Sequence, residues 1–359
     1  MSREFFYCSS IGKNDIIFFN QKEWLMPFPG KGAAMRTIKL AMLGYGNAAK
    51  AFRSLLEEKA DDLRDTYEVE FDFVSIVTKS KGDLLGSSTD TALDVAETAD
   101  YDILIELTPL NIFTGQPAIS HIEAALTRGK NVITANKGPI AHAFKRLDTL
   151  AKENGCFFYY ETTVMDGAPI FNLTRETLKF CKVTEVSGIL NSTTNYILEE
   201  MAKDIPMNEI IEKGKSLGFV EADPSLDVEG YDAAAKTTAL LNVLMDADMT
   251  PDQIQRKGIE DISYGDIRNA AVEGCKIKLV CKGWREHGKV YGRVAPEYIP
   301  INHLYATVSG TSSVLTITTD LMGKLTIIEE DPDILQTAYG VFSDLVRIVE
   351  KEDAGYSEE

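Results

Sequence analysis

The sequence predicts an α/β chain in two parts: a doubly wound parallel sheet, then an α+β region built on an open mixed sheet. Three observations predict it. Between residues 37 and 160, short apolar runs alternate with amphipathic, helix-like stretches, as βαβ crossovers require. The first of those runs ends in a glycine-rich turn. From 161 to about 330 the rhythm changes to longer segments of alternating polarity, the pattern of half-buried strands.

Residues 1–34 have weak periodicity and close on the Pro/Gly stretch PFPGKGAA. They read as an extension or linker, or equally as an extra strand on a neighbouring sheet. The first domain, 35–160, opens at Met35. Its expected strands are IKLAML, EFDFVSIV, YDILIEL, KNVITA and CFFYY. Its expected helices are AAKAFRSLLEEKADDL, TALDVAETA, QPAISHIEAALTRG and PIAHAFKRLDTLAKENG. In the second domain, 161–330, the segments KVYGRVAPEYI and YATVSGTSSVLTITTD read as strands, with helices near 194–204 and 231–246. The final segment, 331–359, carries the amphipathic stretch ILQTAYGVFSDLVRIVE, expected to pack back on the first domain.

Composition narrows the function. A chain of 359 residues that is 44% hydrophobic and 26% charged is ordinary for a globular protein. A net charge of −18 and a pI near 4.8 argue against a nucleic-acid surface, which needs a basic patch. Five scattered cysteines without a CxxC fit free thiols in a reducing cytoplasm. The four histidines form no HxH or HExxH pattern, so a histidine metal site is not expected. No apolar run approaches the roughly 18 residues that span a bilayer, and the first 34 residues lack the form of a signal peptide.

The glycine turn is Gly44-Tyr45-Gly46-Asn47-Ala48-Ala49. It lies between a strand and a helix, which is the GxGxxA form of a dinucleotide-binding loop of Rossmann type. Gly44 makes the tight turn. Gly46 lets a pyrophosphate approach the amides of Asn47 and Ala48 at the helix N-terminus. An NAD site places an acid at the end of the second strand, but here Thr78-Lys79-Ser80-Lys81 follows. Lys79 and Lys81 suit a 2′-phosphate, which favours NADP over NAD; as solvated loop lysines they would carry no such meaning. Further on, Glu106-Leu107-Thr108-Pro109 and Thr134-Ala135-Asn136-Lys137-Gly138-Pro139 end two strands. Ligands bind at such carboxyl ends, so Thr108, Pro109 and Lys137 are candidate cofactor contacts. A plain helix start capped by Asn136 explains the second segment as well.

A last motif, EADPSLDVEGYDAAAK, places five carboxylates in Glu221 to Lys236. Asp232 and Lys236 stand four residues apart and share one face of a helix. The pair reads either as a surface ion pair or as a proton-handling pair whose lysine is lowered by burial. The acids lack the spacing of a calcium loop.

Taken in order, GYGNAAKAF, ELTP, AALTRGKNVITANKGPIAH, YETTVMDGAPI, GILNSTTNYILEEM and GFVEADPSLDVEGYDAAAK resemble homoserine dehydrogenase. The resemblance runs from about 38 to 246, and more loosely to 349. It implies NAD(P)-dependent interconversion of L-homoserine and L-aspartate 4-semialdehyde, in a homodimer built through the second domain. It implies Lys236 as proton donor, Asp232 as its companion, and Lys137 as the lysine of the nucleotide side. It further implies Asn191, Ser192, Thr193, Glu221 and Asp227 at the substrate. Glu161, Val164, Asp166 and Ala168 match a monovalent cation site.

The chain departs from the family pattern in places. Ala49 and Ser192 stand where glycine is usual, and Met165 and Asp166 replace small residues. An acidic segment, Glu329-Glu330-Asp331-Pro332-Asp333, replaces a glycine-rich loop near the nicotinamide. Two other readings follow from these departures: a related oxidoreductase acting on another small amino or hydroxy acid, and a weakly active nucleotide-binding regulator.

Overall fold

Five apolar runs stack side by side in the computed structural model, which describes residues 35–86, 88–217, 220 and 223–355. The expectations for residues 1–34 therefore lie outside the described residues. The first sheet contains β1 (Arg36–Leu43), β2 (Val69–Thr78), β3 (Gly82–Asp83), β4 (Ile103–Glu106), β5 (Asn131–Thr134) and β6 (Phe158–Tyr159), in the order β3-β2-β1-β4-β5-β6. All neighbours in it are parallel except β2 and β3. Strand order reverses between β1 and β4, so a crevice opens beyond their carboxyl ends. Ile103, Leu104 and Ile105 are fully buried, because helices cover both faces of such a sheet.

The second sheet has β7 (Val183–Ile189), β8 (Gln255–Arg256), β9 (Cys275–Glu286), β10 (Lys289–Pro300), β11 (Ser313–Thr319) and β12 (Gly323–Glu329), in the order β12-β11-β7-β9-β10-β8. It is antiparallel apart from β8 beside β10, a mixed sheet as expected. Helix Tyr231–Met245 is buried along most of its length, with Ala233, Ala234, Ala235 and Leu241 among its core residues. Small residues let it lie close to neighbouring backbone.

Several element boundaries differ from the reading of the sequence. AAKAFRSLLEEKADDL is two helices, Asn47–Glu58 and Ala60–Tyr67, separated at Lys59, whose φ and ψ are −93° and 5°. No Gly or Pro marks that break. The segment read as one strand from Tyr305 starts as a helical turn, Leu304–Thr307, and becomes extended only at Ser313. Gly310 has φ +57° and turns the chain between the two. Asp227 lies in the short helix Ser225–Val228, capped by Pro224, and not in an open turn.

The final helix, Ile334–Asp353, starts from a capping box formed by Asp333 and Gln336. Its Ala338, Val341, Leu345 and Ile348 are buried with Leu40, Met42, Phe52 and Ile105 of the first sheet and its helix. Its other face meets the segment that leaves β6. Glu161 N donates to Asp344 Oδ2 at 2.9 Å, and Thr162 Oγ1 donates to the Thr337 carbonyl at 3.1 Å. A Cβ at Gly167 would stand 2.4 Å from the Gln336 carbonyl oxygen, so only glycine permits this approach. No helix among the described residues is long and apolar enough to cross a membrane.

This packing buries carboxyl groups. Burial and the nearby Asp344 push Glu161 up to about 7, and burial pushes Asp344 up to about 6. Burial and Asp166 likewise push Glu329 up to about 7. Unfolded, these groups titrate near 4. Between roughly pH 4 and 7 the folded chain therefore binds more protons, and its stability falls as pH rises through that window. Asp232 is shifted the other way, and its contribution is lost only in more acid solution. Thermal unfolding followed by circular dichroism should give a higher midpoint at about pH 5.5 than at about pH 8. A midpoint that climbs over that interval would contradict this account.

Candidate active site

The glycine turn sits at the reversal point of the first sheet. Gly44 has φ +94°, and a Cβ there would stand 2.2 Å from the Leu107 carbonyl oxygen. The turn is thus pressed against the segment leaving β4, which only glycine allows. Gly46 caps helix Asn47–Glu58 in extended conformation, with no side chain capping it and no acid in the first turn. A Cβ at Gly46 would meet nothing within 4 Å. Open space thus lies over a bare helix N-terminus, which suits a pyrophosphate. Gly46 and Asn47 are exposed and Ala48 is half-buried, while Ala49 is buried in the core of the sheet. Ala49 fills the close-packing position of the motif without a glycine. Lys79 and Lys81 are exposed in the turn after β2. Neither ammonium is paired with an acid among the described residues.

The carboxyl ends of β4 and β5 are joined by hydrogen bonds. Glu106 Oε1 accepts from Thr108 N at 3.1 Å and also from Thr108 Oγ1. Thr134 Oγ1 donates to Glu106 Oε2 at 3.1 Å, and Asn136 N donates to Thr134 Oγ1 at 3.0 Å. Asn136 Oδ1 caps helix Lys137–Glu153 by accepting from Gly138 N, while its Nδ2 donates to the Thr108 carbonyl. Lys137 is the first residue of that helix. Thr108 is half-buried and Pro109 exposed beside it.

Lys137 crosses to the second half of the molecule. Its Nζ stands 3.0 Å from Asp232 Oδ1, and Lys236 Nζ stands 3.3 Å from Asp232 Oδ2. Lys236 also donates to the Leu190 carbonyl at 2.7 Å. Asn191 caps helix Ser192–Met201 through Thr194 N. Its amide nitrogen donates to Asp227 Oδ1 at 2.6 Å and to Asp232 Oδ2 at 2.9 Å. Thr193 is buried and also hydrogen-bonds Asp227. Ser192, half-buried, is the first residue of the same helix. Lys137, Asn191, Thr193, Asp227, Asp232 and Lys236 therefore form one constellation. Glu221 lies outside the described residues.

The electrostatics follow from this crowding. Burial works against the Asp232 carboxylate, but Lys137 and Lys236 outweigh it and hold the group well below the usual range. Burial and Asp232 together raise Asp227, against Asn191 and Lys236. For Lys236 the expectation from sequence is reversed. Burial pulls the ammonium down, but Asp232, Asp166 and Asp227 more than offset it and leave it above the ordinary lysine value. The lysine is held as a cation, and the acids at its shoulder are the reason.

A third wall comes from residues 161–168 and 329–333. Asp166, in left-handed conformation with φ +36°, accepts from Thr337 Oγ1 at 2.7 Å. Glu329 Oε1 accepts from Gly167 N at 3.3 Å, and its Oε2 is buried without a hydrogen-bond partner in the described structure. Both acids are close enough to affect Lys236. Glu329 also borders a cavity of about 370 Å³ that reaches Leu55, Leu335 and Tyr339. The rest of the acidic segment does local work: Asp331 bonds Ser312, and Asp333 caps the final helix.

Two of the expected cation ligands, Glu161 and Ala168, serve the backbone. Glu161 takes Phe171 N and Asn172 N at 2.7 and 2.6 Å, and the Ala168 carbonyl accepts from Ile170 N. Among the described residues no group of three or more His, Cys, Asp or Glu is arranged to hold a metal ion. Val164 is buried beside them. Reading the sequence alone misses the role of Glu106 and that of the Leu190 carbonyl. An acid closing the fully buried run ILIE is the signal that marks Glu106. Nothing local marks Leu190.

Known proteins resemble this chain along most of its length. Residues 44–161 match the family described as homoserine dehydrogenase, NAD binding domain, and residues 169–346 match the family described as homoserine dehydrogenase. The chain is 32% identical to the NAD(+)-dependent homoserine dehydrogenase of Pseudomonas canavaninivorans, over 88% of this chain and 97% of that protein. A homoserine dehydrogenase structure from Thiobacillus denitrificans superposes with TM-score 0.79 at 28% identity, over 89% of this chain and 75% of that one. A mutant hyperthermophilic archaeal homoserine dehydrogenase in complex with NADPH superposes with TM-score 0.74 at 26% identity, over 88% and 98% of the two chains. The chain belongs to the homoserine dehydrogenase family, oxidoreductases that act on a CH–OH group with a nicotinamide nucleotide.

Proposed function

We propose that this chain interconverts L-homoserine and L-aspartate 4-semialdehyde, with Lys236 handling the proton and Asp232 holding Lys236 and Lys137 in place. The observation that carries the reading is the half-buried Lys137–Asp232–Lys236 bridge between the two halves. It lies on the cleft side of the glycine turn and the β4 and β5 ends. The bound nicotinamide would exchange a hydride with the carbon of the CH–OH group. Gly44, Gly46 and the amides of Asn47 and Ala48 would hold its pyrophosphate, and Thr108, Pro109 and Lys137 would stand nearer the reacting end.

In the direction of reduction, Lys236 donates a proton to the carbonyl oxygen. Its raised pKa keeps the ammonium populated at neutral pH. In the direction of oxidation it must first lose that proton, so alcohol oxidation gains from alkaline solution. The acids outnumber the cations here: Asp166, Asp227, Asp232 and Glu329 face Lys137 and Lys236. A substrate bearing an ammonium meets that imbalance, whereas an anionic hydroxy acid lacking one does not. Asp227, and Glu221 by resemblance, are assigned to the ammonium, with Asn191, Ser192 and Thr193 beside it.

The two exposed lysines after β2 support NADP over NAD. Any monovalent cation would be held by the Val164 and Asp166 carbonyls, since the Glu161 carboxylate is committed to helix amides, and no step depends on it. The division near residue 160 leaves 161–330 to bind substrate and to form a homodimer in the cytoplasm. The exposed Tyr298, Ile301 and Leu304 lie on that part.

Lys236→Ala should lower turnover of aspartate semialdehyde by about 10² or more if it is the proton donor, while unchanged turnover would refute the assignment. Wild-type initial rates with NADPH and NADH, in sodium, potassium and tetramethylammonium buffers, test the nucleotide and cation readings together. The expected pattern is a lower Michaelis constant for NADPH. A preference for NADH would remove the role given to Lys79 and Lys81, and identical rates in all three buffers would remove the cation. Sedimentation should return twice the chain mass, and a monomer would exclude the dimer.

A further inference from the structure

We infer that Glu106 is a positioning residue: its buried carboxylate fixes the two turns from which Lys137 reaches the reacting centre. The inference rests on the role given to Lys137 above.

Glu106 closes β4 and is fully buried. A carboxylate in such a place is costly unless its oxygens are satisfied. Among the described residues its hydrogen-bond donors come from the ends of two strands. Thr108 N and Oγ1 serve one oxygen, and Thr134 Oγ1 serves the other. Those threonines belong to the segments that line the cleft. Thr134 passes the constraint to Asn136 N, and Thr108 receives the Asn136 side chain on its carbonyl. Asn136 is thereby gripped from β4 and from β5 at once, and it caps the helix whose first residue is Lys137. The chain of contacts ends at Asp232, 3.0 Å from the Lys137 ammonium.

No lysine or arginine pairs with Glu106 among the described residues. The nearest cation-forming group is His121, 3% exposed, whose Nδ1 is 3.7 Å from Glu106 Oε1 and makes no hydrogen bond in the described structure. A side chain kept only for packing would need none of these donors, since apolar residues of similar shape in place of all the partners would serve as well. The placement of all three donors on cleft-lining turns points instead to alignment of Lys137.

The test is a double-mutant cycle on the full chain, with aspartate semialdehyde and NADPH, and with thermal midpoints recorded alongside. Glu106→Gln keeps the shape and alters the acceptor pattern. Thr134→Val keeps the branched shape and removes only the relay hydroxyl, so it serves if the first variant folds poorly. Each should lower kcat/KM by about tenfold when Lys137 is present, and by less than about twofold in a Lys137→Met background, as coupled sites require. Equal losses in both backgrounds would overturn the inference, as would full activity of Glu106→Gln at an unchanged thermal midpoint. If Lys137→Met alone leaves kcat/KM unchanged, the reading of Lys137 falls first, and this inference falls with it.

Discussion

Everything at this site is arranged around one half-buried carboxylate, Asp232, held between two ammonium groups. Asp232 accepts Lys137 from the first half of the chain and Lys236 from its own helix. A charge removed from water must find compensation of this quality, because its desolvation cost otherwise exceeds the attraction. Removing one partner would leave the remaining charges short of compensation, so the bridge constrains both halves. It sets their separation at the cleft and fixes the height of Lys236 above Leu190. It also holds Asp232 as a carboxylate and helps hold Lys236 as a cation.

The acidic segment before the final helix is explained by the same accounting. A glycine-poor loop with four acids in five residues looks hostile to a phosphate-bearing ligand. In the fold the charges are dispersed: Asp331 turns to Ser312 and Asp333 to the helix N-terminus. Glu330 is exposed, and only Glu329 is directed at the lysine side of the site. Gly167, whose missing Cβ admits the Gln336 carbonyl, packs the segment after β6 closely against the final helix. The departure from the family pattern is therefore local, and it adds a carboxylate beside Asp166.

Much of this was readable from the residues. Five apolar runs ended in turn-forming residues, and burial on both faces of a parallel sheet made them plain. The GxGxxA spacing placed the nucleotide turn, and i,i+4 spacing placed Asp232 against Lys236. What escaped was whatever depends on contacts distant in sequence. Lys59 breaks a helix that has no breaker in its letters. Asp227 falls in a short helix because Pro224 starts one. Lys236 rises where burial alone would lower it, since Asp166 comes from 70 residues away to join Asp232 and Asp227, a distance no local pattern reports. The turn of Glu329 toward the site has the same origin.

The two ends of the described chain meet. Arg36, at the start of β1, pairs with Glu352 and Asp353 at the close of the final helix, at 3.0 and 3.1 Å. Both lie at the amino edge of a parallel sheet whose carboxyl edge leads to Lys137. In a chain trimmed to residues 35–355 the two new ends would thus stand side by side at that amino edge, away from the carboxyl ends of β4 and β5. Joined by a short peptide, those ends would make such a trimmed chain suited to circular permutation.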